Sequence, residues 1–405
     1  MYYSRYKRLF PGDVLVCIEE LNIQDNTVLF DFIDSNEYTT FTDLINRAFD
    51  LTKPSMVLLN NYQGRPIQEN TIYSIKPETI QSWSEQVNNS EDLNSFLIGY
   101  IIDVSNAGSE IFDSSVSLND FLDWRLNYYM NGYGDSSAIP FHRKGKLSVT
   151  VRDVGQGNWN EINFNDETKV VYDAGAPMNA SKPAVLNIIG NRNVLYKRAK
   201  PILILSHWDK DHYHSLLGMS NVDLQNNFSA FVCRDRVPNL TSRILFGRLN
   251  SSLGPSNTYS IPADVRRARG GATFFRNLNS LNNQIIIYNA QYHKNRNISG
   301  IALSVKSKKE SIILSGDAHY EQVSRDILAH LNYRHRNNLV VPHHGGKAGT
   351  YVYKIPPLVR VKNAIISVGA NRYGHPNTSY IGALHLAGFS IHQTNIAQND
   401  ITIYL

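Results

Sequence analysis

Short apolar segments recur along the second part of the chain, and each is followed by glycine, aspartate or histidine. Leu147–Val151 alternates apolar and polar residues, whereas Val170–Tyr172, Ile202–Leu205 and Leu339–Val341 are apolar throughout. Apolar runs of this length that end in turn-forming residues predict buried β-strands. We therefore expect a rigid sheet whose strand-end loops bring polar side chains to one edge.

Residues 1–142 have a different pattern, in which strand-like segments alternate with amphipathic ones. The spacing of apolar residues predicts helices over Thr42–Leu51 and Leu118–Tyr129. A loop rich in glycine and asparagine and then a basic linker follow. The sequence therefore predicts a smaller α+β domain of unknown role over residues 1–142 and a second domain over residues 146–405.

The composition is that of a globular protein, because 42% of the 405 residues are apolar and 19% are charged. The apolar runs are far shorter than the roughly 20 residues that cross a bilayer. The N-terminal residues lack the apolar core of a signal peptide. Only Cys17 and Cys233 are present, so no disulfide framework or cysteine-based zinc site is expected. These features predict a cytoplasmic protein with no membrane contact.

The charges are distributed unevenly. Residues 1–145 carry 10 Lys and Arg against 20 Asp and Glu, whereas residues 146–405 carry 30 against 15. A strongly basic domain favours a polyanionic partner such as a nucleic acid or a nucleotide. The alternative is an ordinary solvated surface with an uneven charge.

The densest group of reactive side chains is Ser-His-Trp-Asp-Lys-Asp-His at residues 206–212, directly after an apolar run. His207, Asp209, Asp211 and His212 place four possible metal ligands within six residues. Two imidazoles and two carboxylates crowded at a strand end would repel their like neighbours without a cation. The cluster therefore predicts a metal-dependent hydrolase.

Six sequence strings, in this order, resemble the metallo-β-lactamase superfamily and, within it, the C-terminal domain of the ComEC-type competence proteins. The resemblance covers residues 146–405. It implies an αβ/βα four-layer sandwich, two divalent metal ions (zinc or manganese) and, by analogy, hydrolysis of a phosphodiester. The strings are Asp153-Val-Gly-Gln-Gly157, Val171-Tyr-Asp173-Ala-Gly175, Leu205 to His212, Leu314-Ser-Gly-Asp317, Val341-Pro-His343-His344-Gly345 and Ser367 to Pro376.

The resemblance also implies how the first cluster is divided between the ions. His207 and Asp209 should bind one ion, and Asp211 and His212 the other. Asp209 stands where the lactamase branch has histidine, and a carboxylate there shifts the preference from zinc toward manganese or magnesium. Two ions about 4 Å apart can hold a shared hydroxide and clamp the oxygens of a phosphoryl group.

Later strings supply the remaining ligands. Asp317 should bridge both ions, and one residue of the pair His343 and His344 should complete the second position. We expect His343 to be the ligand and His344 to support the site, although the sequence leaves their order open. Asp173 should accept a hydrogen bond from a ligand histidine and so fix its tautomer.

Three further residues are predicted to act on the substrate. His375 should bind a phosphate oxygen or protonate the leaving oxygen, so that with Asp211 it forms the catalytic pair. A structural role for this loop histidine is the alternative. Arg372 and Lys347 should hold the phosphate group.

An arginine-rich segment over residues 234–276 is a second candidate for phosphate contacts, because a guanidinium donates two hydrogen bonds at once. Phe246, Phe274 and Phe275 lie in the same segment, where they either stack on unpaired bases or simply belong to the core. The arginines are Arg234, Arg236, Arg243, Arg248, Arg266, Arg267, Arg269 and Arg276.

The predicted function is therefore a phosphodiesterase or nuclease that cleaves DNA, RNA or a nucleotide. A hydrolase of a small ester or lactone is the second hypothesis, since that substrate would not need a basic surface. The third is a partner-regulated effector subunit, as in bacterial self-defence, whose site the N-terminal domain masks and whose N-terminal surface binds another protein.

Overall fold

The computed structural model describes twelve stretches of the chain, and the predicted helix over Leu118–Tyr129 lies outside them. No helix among the described residues is long and apolar enough to cross a membrane. The described residues are 12–89, 94–105, 111–113, 115–117, 145–262, 274–281, 283–293, 295–331, 334–349, 355, 359–371 and 373–405.

These residues form two compact units. The first contains the described residues up to 117 together with Asn179–Ala184 and Arg236–Gly247, and the second contains the rest. The division therefore differs from the boundary predicted near residues 142–146, because two later segments belong to the first unit.

Hydrogen bonds hold the segment Arg236–Gly247 in the first unit. The backbone N–H of Thr241 donates to the buried carboxylate of Asp31 at 2.9 Å, and the Thr241 hydroxyl lies 3.0 Å from that of Ser55. The Ser55 hydroxyl in turn donates to Asp31 at 2.7 Å. A buried carboxylate needs such donors, so Asp31 provides a reason for this segment to join the first unit.

The first unit is one seven-stranded sheet in the order β5-β6-β3-β2-β1-β4-β7, in which only β3 and β6 are parallel. Two helices, α1 (Ser35–Leu44) and α2 (Pro77–Ser82), contribute apolar side chains such as Phe41 and Ile80 to its core. The strands are β1 (Val14–Asn22), β2 (Thr27–Phe32), β3 (Met56–Asn60), β4 (Thr71–Ile75), β5 (Val87–Asn89), β6 (Ile98–Asp103) and β7 (Ser115–Ser117).

Helix α1 precedes most of the predicted helix over Thr42–Leu51, so that prediction is wrong. Asp34 caps the observed start by accepting hydrogen bonds from the N–H groups of Asn36 and Glu37 at 2.9 and 3.0 Å. Shortly after the helix, Asn46 adopts a left-handed conformation with φ 55°. The cap and this turn set the helix limits.

The second unit contains two seven-stranded sheets, in the orders β13-β12-β11-β10-β9-β8-β21 and β14-β15-β16-β17-β18-β19-β20. The strands are β8 (Leu147–Val151), β9 (Trp159–Phe164), β10 (Glu167–Ala174), β11 (Ile202–Ile204), β12 (Ala230–Arg234), β13 (Thr258–Ile261), β14 (Phe275–Leu281), β15 (Ile285–Ala290), β16 (Ile301–Lys306), β17 (Glu310–Leu314), β18 (Arg336–Val340), β19 (Arg360–Ile366), β20 (Ser390–Gln393) and β21 (Ile401–Tyr404).

Helices lie on the outer faces of this pair of sheets. The chain after α2 also forms α3 (Lys182–Ile189) and α7 (Leu240–Leu253), which both begin in the first unit. The helices that lie wholly in the second unit are α4 (Arg192–Ala199), α5 (Lys210–Leu217), α6 (Asn221–Asn227), α8 (Tyr320–Asp326), α9 (Thr378–Leu386) and α10 (Thr394–Ala397). Inward-facing side chains of both sheets, such as Ile204 of β11 and Leu314 of β17, share one apolar core. Tyr320 of α8 and Leu384 of α9 cover the other face of the second sheet. The predicted αβ/βα four-layer sandwich is therefore confirmed.

The same sandwich gathers the predicted site residues. Strands β10 and β11 are parallel neighbours in one sheet, and β17 and β18 are parallel neighbours in the other. Parallel neighbours end at the same edge of a sheet, so the loops after these four strands lie together. These loops carry the Asp and His residues of the predicted strings.

Candidate metal centre

Asp173, at the end of β10, is a fully buried carboxylate with four hydrogen-bond donors. The backbone N–H and the hydroxyl of Ser206 donate to it at 2.7 and 2.8 Å, and the side-chain amide of Asn158 donates at 2.8 Å. The fourth donor is Nδ1–H of His212, at 2.9 Å. Asp173 thus fixes the tautomer of His212 and leaves its Nε2 as an atom that could bind a metal ion.

The Nε2 atom of His212 faces a second carboxylate. It lies 3.1 Å from Oδ1 of Asp317 and 3.9 Å from Oδ1 of Asp211. Because Nδ1 already carries the hydrogen, a neutral His212 presents a lone pair to these oxygens. Two acceptors at this distance repel each other unless a proton or a metal ion lies between them.

His344 repeats this arrangement. Its Nδ1–H donates to the backbone carbonyl of Ser367 at 2.7 Å, a partner that can only accept. Its Nε2 therefore points at Oδ2 of Asp211, 3.1 Å away. His344 thus offers a lone pair to the same region as Asp211, which is what a metal ligand requires.

His207 and Asp209 form the other side of the cluster. Nε2 of His207 lies 3.3 Å from Oδ2 of Asp209 and 3.9 Å from Oδ2 of Asp317, and it has no hydrogen-bond partner. The other Asp209 oxygen, Oδ1, lies 3.0 Å from Nε of Arg296. Arg296 therefore fixes one oxygen of Asp209 and leaves the second facing His207.

His343 has a different partner. Its Nδ1–H donates to Oδ2 of Asp317 at 2.5 Å. Both His343 and His344 adopt left-handed backbone conformations, with φ 51° and 52°. Consecutive non-glycine residues in this region store strain, which proteins retain mainly at functional sites. His344 therefore belongs to a group of residues that could hold an ion, whereas His343 contacts Asp317, and the ligand order expected from the sequence stays a prediction.

The electrostatics show how strongly the cluster attracts positive charge. Burial lowers the pKa of His212, but the carboxylates of Asp317, Asp173 and Asp211 outweigh burial and raise it well above its ordinary range. Burial acts to raise the pKa of Asp317, yet His212 and His343 hold it well below its usual value. The Asp317 carboxylate thus stays ionised and needs cationic partners.

A divalent ion fits these positions. Two ligand atoms about 2.1 Å from an ion at the tetrahedral angle lie about 3.4 Å apart, and the nitrogen–oxygen separations in the cluster are 3.1 to 3.9 Å. Two groups of residues have ligand atoms close enough to hold an ion. They are His207, His212 and Asp317, and Asp211, His212 and His344.

The cluster is open to solvent on one side. The imidazoles of His207, His212 and His344 are at most 3% exposed, whereas the side chains of Asp209 and Asp211 are 21% exposed. A substrate can therefore reach the carboxylate side of the cluster, while the imidazoles are held by the protein.

His375 lies beside the cluster, with its ring centre 5.1 Å from that of His343. Burial, and then the nearby His343 and His344, lower the pKa of His375 to about 4. The amide nitrogen of Gln156 lies 3.3 Å from Nδ1 of His375. Since an amide nitrogen only donates, the neutral imidazole accepts at Nδ1 and carries its hydrogen on Nε2.

The two residues predicted to hold phosphate have different outcomes. Lys347 is exposed on the loop after the 3-10 helix Pro342–Gly345. Arg372 lies outside the described residues. Lys347 is therefore not among the described contacts of the cluster.

Several arginines of the 234–276 segment bind protein acceptors. In the second unit, Arg234 is buried and donates to Asn289, and Arg248 donates to Asn221 at 2.8 Å. In the first unit, Arg243 donates to a backbone carbonyl at 2.6 Å. Phe246 and Phe275 are buried, while Phe274 is half-buried, and Arg266, Arg267 and Arg269 lie outside the described residues.

Four contact residues of the site were not predicted from the sequence. Ser206 and Asn158 donate to Asp173, Gln156 contacts His375, and Arg296 pairs with Asp209. Ser206 lies within a predicted string and Asn158 directly follows one, so their polar side chains were a usable signal. Arg296 lies 87 positions from Asp209 in the chain, and nothing in its neighbourhood indicates the pairing.

Comparisons with known proteins show only a distant similarity to solved structures. No protein-family model and no curated protein matches the sequence. Among solved structures, the chain is similar to YhfI, a metallo-β-lactamase-fold protein from Bacillus subtilis, at 10% identity and a TM-score of 0.35, over 64% of this chain and all of YhfI.

Two further solved structures are similar to the chain. CmlA, a diiron β-hydroxylase from Streptomyces venezuelae, has 9% identity and a TM-score of 0.34 over 65% of this chain and 55% of CmlA. A protein from Parabacteroides distasonis assigned as a metal-dependent hydrolase has 12% identity and a TM-score of 0.32, over 63% of this chain and 98% of that protein. Likeness at these scores assigns no substrate, metal or branch of the superfamily to this chain.

Proposed function

We propose that the second unit is a metal-dependent phosphodiesterase that acts on a nucleic acid or nucleotide. The observation that carries the proposal is the set of imidazole Nε2 atoms that face carboxylate oxygens. Nδ1–H of His212 donates to Asp173, and Nδ1–H of His344 donates to the carbonyl of Ser367. The Nε2 atoms of both histidines therefore carry lone pairs and cannot donate to Asp317 or Asp211 unless they are protonated. Divalent ions supply the missing positive charge.

Each of two positions has its own donor set in this proposal. His207, Asp209 and Asp317 would hold the first ion. His212, Asp211, His344 and Asp317 would hold the second. In this division the Nε2 atom of His212 would serve one ion only, and Asp317 would contribute to both positions. Nε2 of His207 lies 3.3 Å from Asp209 and 3.9 Å from Asp317, and Nε2 of His212 lies 3.1 Å from Asp317 and 3.9 Å from Asp211. Nε2 of His344 lies 3.1 Å from Asp211. These distances support the division.

The other residues either bind the substrate or hold a proposed ligand in place. When bound, divalent ions lower the pKa of water toward 7 and neutralise the charge of a phosphoryl group. His375, neutral near pH 7, offers its Nε2–H to an anionic oxygen beside the cluster. Because its pKa is about 4, we assign it to binding an oxygen rather than to delivering a proton from an imidazolium. His343 positions Asp317, and Arg296 positions Asp209.

The basic second part of the chain favours a phosphate substrate over an uncharged ester, because it carries 30 Lys and Arg against 15 Asp and Glu. A ComEC-like relation is part of the same proposal, and it depends on the sequence strings.

The test is a cleavage panel with the purified full chain and added Mn²⁺ or Zn²⁺. The substrates are single-stranded DNA, duplex DNA, RNA, a cyclic dinucleotide and an uncharged nitrophenyl ester. We expect cleavage of at least one phosphodiester, and we expect Asp211→Ala to abolish it. Asp166→Asn, an exposed turn substitution, is the matched control and should keep full activity. Bound metal without cleavage of any phosphodiester would contradict the proposal.

A further inference from the structure

A basic groove lies at the end of the second sheet opposite the candidate metal centre. It has a volume of about 850 Å³ and is lined by the turn between β16 and β17, with Lys306, Lys308 and Lys309, and by His330 and His335. The metal-centre residues follow the C-terminal ends of β17 and β18, whereas this turn precedes β17. Each of these strands has five residues, so the two sites are roughly 16 Å apart along the sheet.

A neighbouring cavity of about 720 Å³ shares Ile286, Tyr288 and His330 with this groove. The second cavity adds the cations Arg276 and Arg325 and one carboxylate, Asp326. We call the two cavities together the lysine groove. It has five cationic side chains against a single acid, so its charge suits a polyanion.

The acids near the lysine groove are already paired. Asp326 binds the guanidinium of Arg325 at 2.5 Å and accepts the backbone N–H of Phe275 at 2.8 Å. Glu310, which starts β17, pairs with Lys362 at 2.9 Å. Among the described residues, no ion pair links Lys306, Lys308 or Lys309 to a carboxylate. These lysines are therefore available to phosphate groups.

The lysine groove also offers a surface for stacking. Phe274 is half-buried, and the guanidinium of Arg325 lies 4.1 Å from the centre of its ring. A stacked guanidinium and aromatic ring together present a flat face to an unpaired base. A duplex hides its base faces, so this feature favours a single strand. Cations beside a stacking face favour a nucleic acid over an acidic peptide such as polyglutamate, which has no bases to stack.

We propose that the lysine groove binds single-stranded nucleic acid, with its lysines on the phosphates and Phe274 and Arg325 against a base. Binding here goes beyond the proposed hydrolysis, because it needs no metal ion. The groove holds a strand on the same unit as the metal centre, so it raises the local concentration of strand without taking part in cleavage.

The test measures binding in the absence of divalent metal. A fluorescein-labelled 16-nucleotide single strand of DNA or RNA is titrated with the full chain in EDTA, and anisotropy is recorded at several salt concentrations. The variant Lys306→Glu/Lys308→Glu/Lys309→Glu should raise the Kd at least tenfold. It should also reduce the slope of log Kd against log salt by about 2, since each lost phosphate contact removes about 0.7.

A matched control changes the same number of charges elsewhere on the unit. Lys197, Arg198 and Lys200 are exposed on or next to α4, and their replacement by glutamate should leave the Kd within about threefold. Phe274→Ala should weaken binding by roughly tenfold or more. If the glutamate triple fails to fold, the glutamine triple at the same lysines supplies the comparison.

Several outcomes would overturn the inference. They are no binding by the unaltered chain at 50 mM salt, equal losses in the two charge-matched triple variants, and equal competition by a polyglutamate peptide and an unlabelled strand. Asp211→Ala separates the two proposals, because it should bind the strand with unchanged affinity even when cleavage is abolished. Binding without cleavage would reject the proposed function and leave the lysine groove as a binding site.

Discussion

Replacing Asp173 with asparagine tests how the fold holds the candidate metal centre. Asp173 is fully buried and has φ 59°, a left-handed conformation that asparagine also tolerates. The substitution therefore keeps the size and backbone but replaces an acceptor oxygen with an amide N–H₂ donor. Three side-chain donors converge on Oδ2, from Asn158, Ser206 and His212, at 2.8 to 2.9 Å.

The cost follows from these contacts. The Ser206 hydroxyl can turn to accept from the new amide, but Nδ1–H of His212 loses its acceptor. An unsatisfied buried donor costs about 1–3 kcal/mol, and loss of the charge-assisted bonds adds to it, so we expect about 2–4 kcal/mol in all. For a domain of this size that corresponds to a Tm lower by roughly 5–10 °C. Metal affinity should fall about 10- to 100-fold, because His212 is no longer held in one tautomer.

The assay combines calorimetric Tm values of the metal-free protein with competition for Mn²⁺ or Zn²⁺ against a chelator of known affinity. Asp166→Asn is the matched control, since Asp166 is exposed and has φ 63°, so the chemical change and the backbone are alike. It should change neither quantity. An Asp173→Asn protein with unaltered Tm and metal affinity would refute the assignment of Asp173 as the residue that orients His212.

Three further predictions concern residues around the site and the first unit. Arg296→Met should lower the Tm of the metal-free protein because it leaves Asp209 without its cation, at a cost of about 1–3 kcal/mol after allowance for partial exposure. Adding Asp209→Asn should restore most of the lost stability. Equal Tm values for the single and double variants would contradict the pairing. Gly346→Ala would place a methyl group against the imidazole of His375. We expect unchanged metal content by elemental analysis but at least tenfold lower kcat. Full activity would count against a role for His375. Burial raises the pKa of Asp31 from 3.8 to about 6, so the folded state binds this proton more tightly than the unfolded chain. The free energy of unfolding should therefore fall by up to about 3 kcal/mol between pH 4 and pH 6. Urea titrations should show that Asp31→Asn removes this contribution, and parallel pH curves for the two proteins would contradict it.

The local pattern of apolar and polar residues was sufficient to predict several strands of the second unit. The apolar runs at Leu147–Val151, Ile202–Leu205 and Leu339–Val341 are strands or strand ends because a buried strand needs only a short apolar run and a turn. The residues after those runs then meet at one edge, since parallel strands end together. The cluster at residues 206–212 could therefore be located from the sequence.

Contacts between distant residues could not be predicted in the same way. The pairing of Arg296 with Asp209 depends on where the loop after β15 runs, and no local pattern reports it. His343 and His344 are neighbours of the same type, so only the left-handed turn decides which Nε2 faces Asp211. The inclusion of residues 236–247 in the first unit depends on hydrogen bonds to Asp31, over 200 positions away.

Helix α1 shows how a cap can outweigh periodicity. Apolar spacing favoured a helix over Thr42–Leu51, but the capping bonds of Asp34 begin the helix earlier. An aspartate before a helix is also common in turns, so sequence alone gives this signal little weight. In the structure the helix begins directly after Asp34, because the N–H groups of Asn36 and Glu37 both donate to the Asp34 side chain.

The count of tightly bound divalent ions per chain tests the central claim most directly. The full chain is stripped with a chelator, loaded with Mn²⁺ or Zn²⁺, dialysed and measured by elemental analysis, together with its Tm before and after loading. We predict two ions per unaltered chain, a clear rise in Tm on loading, and loss of at least one ion in Asp317→Asn. A chain that retains no ion and shows no rise in Tm would contradict the metal centre.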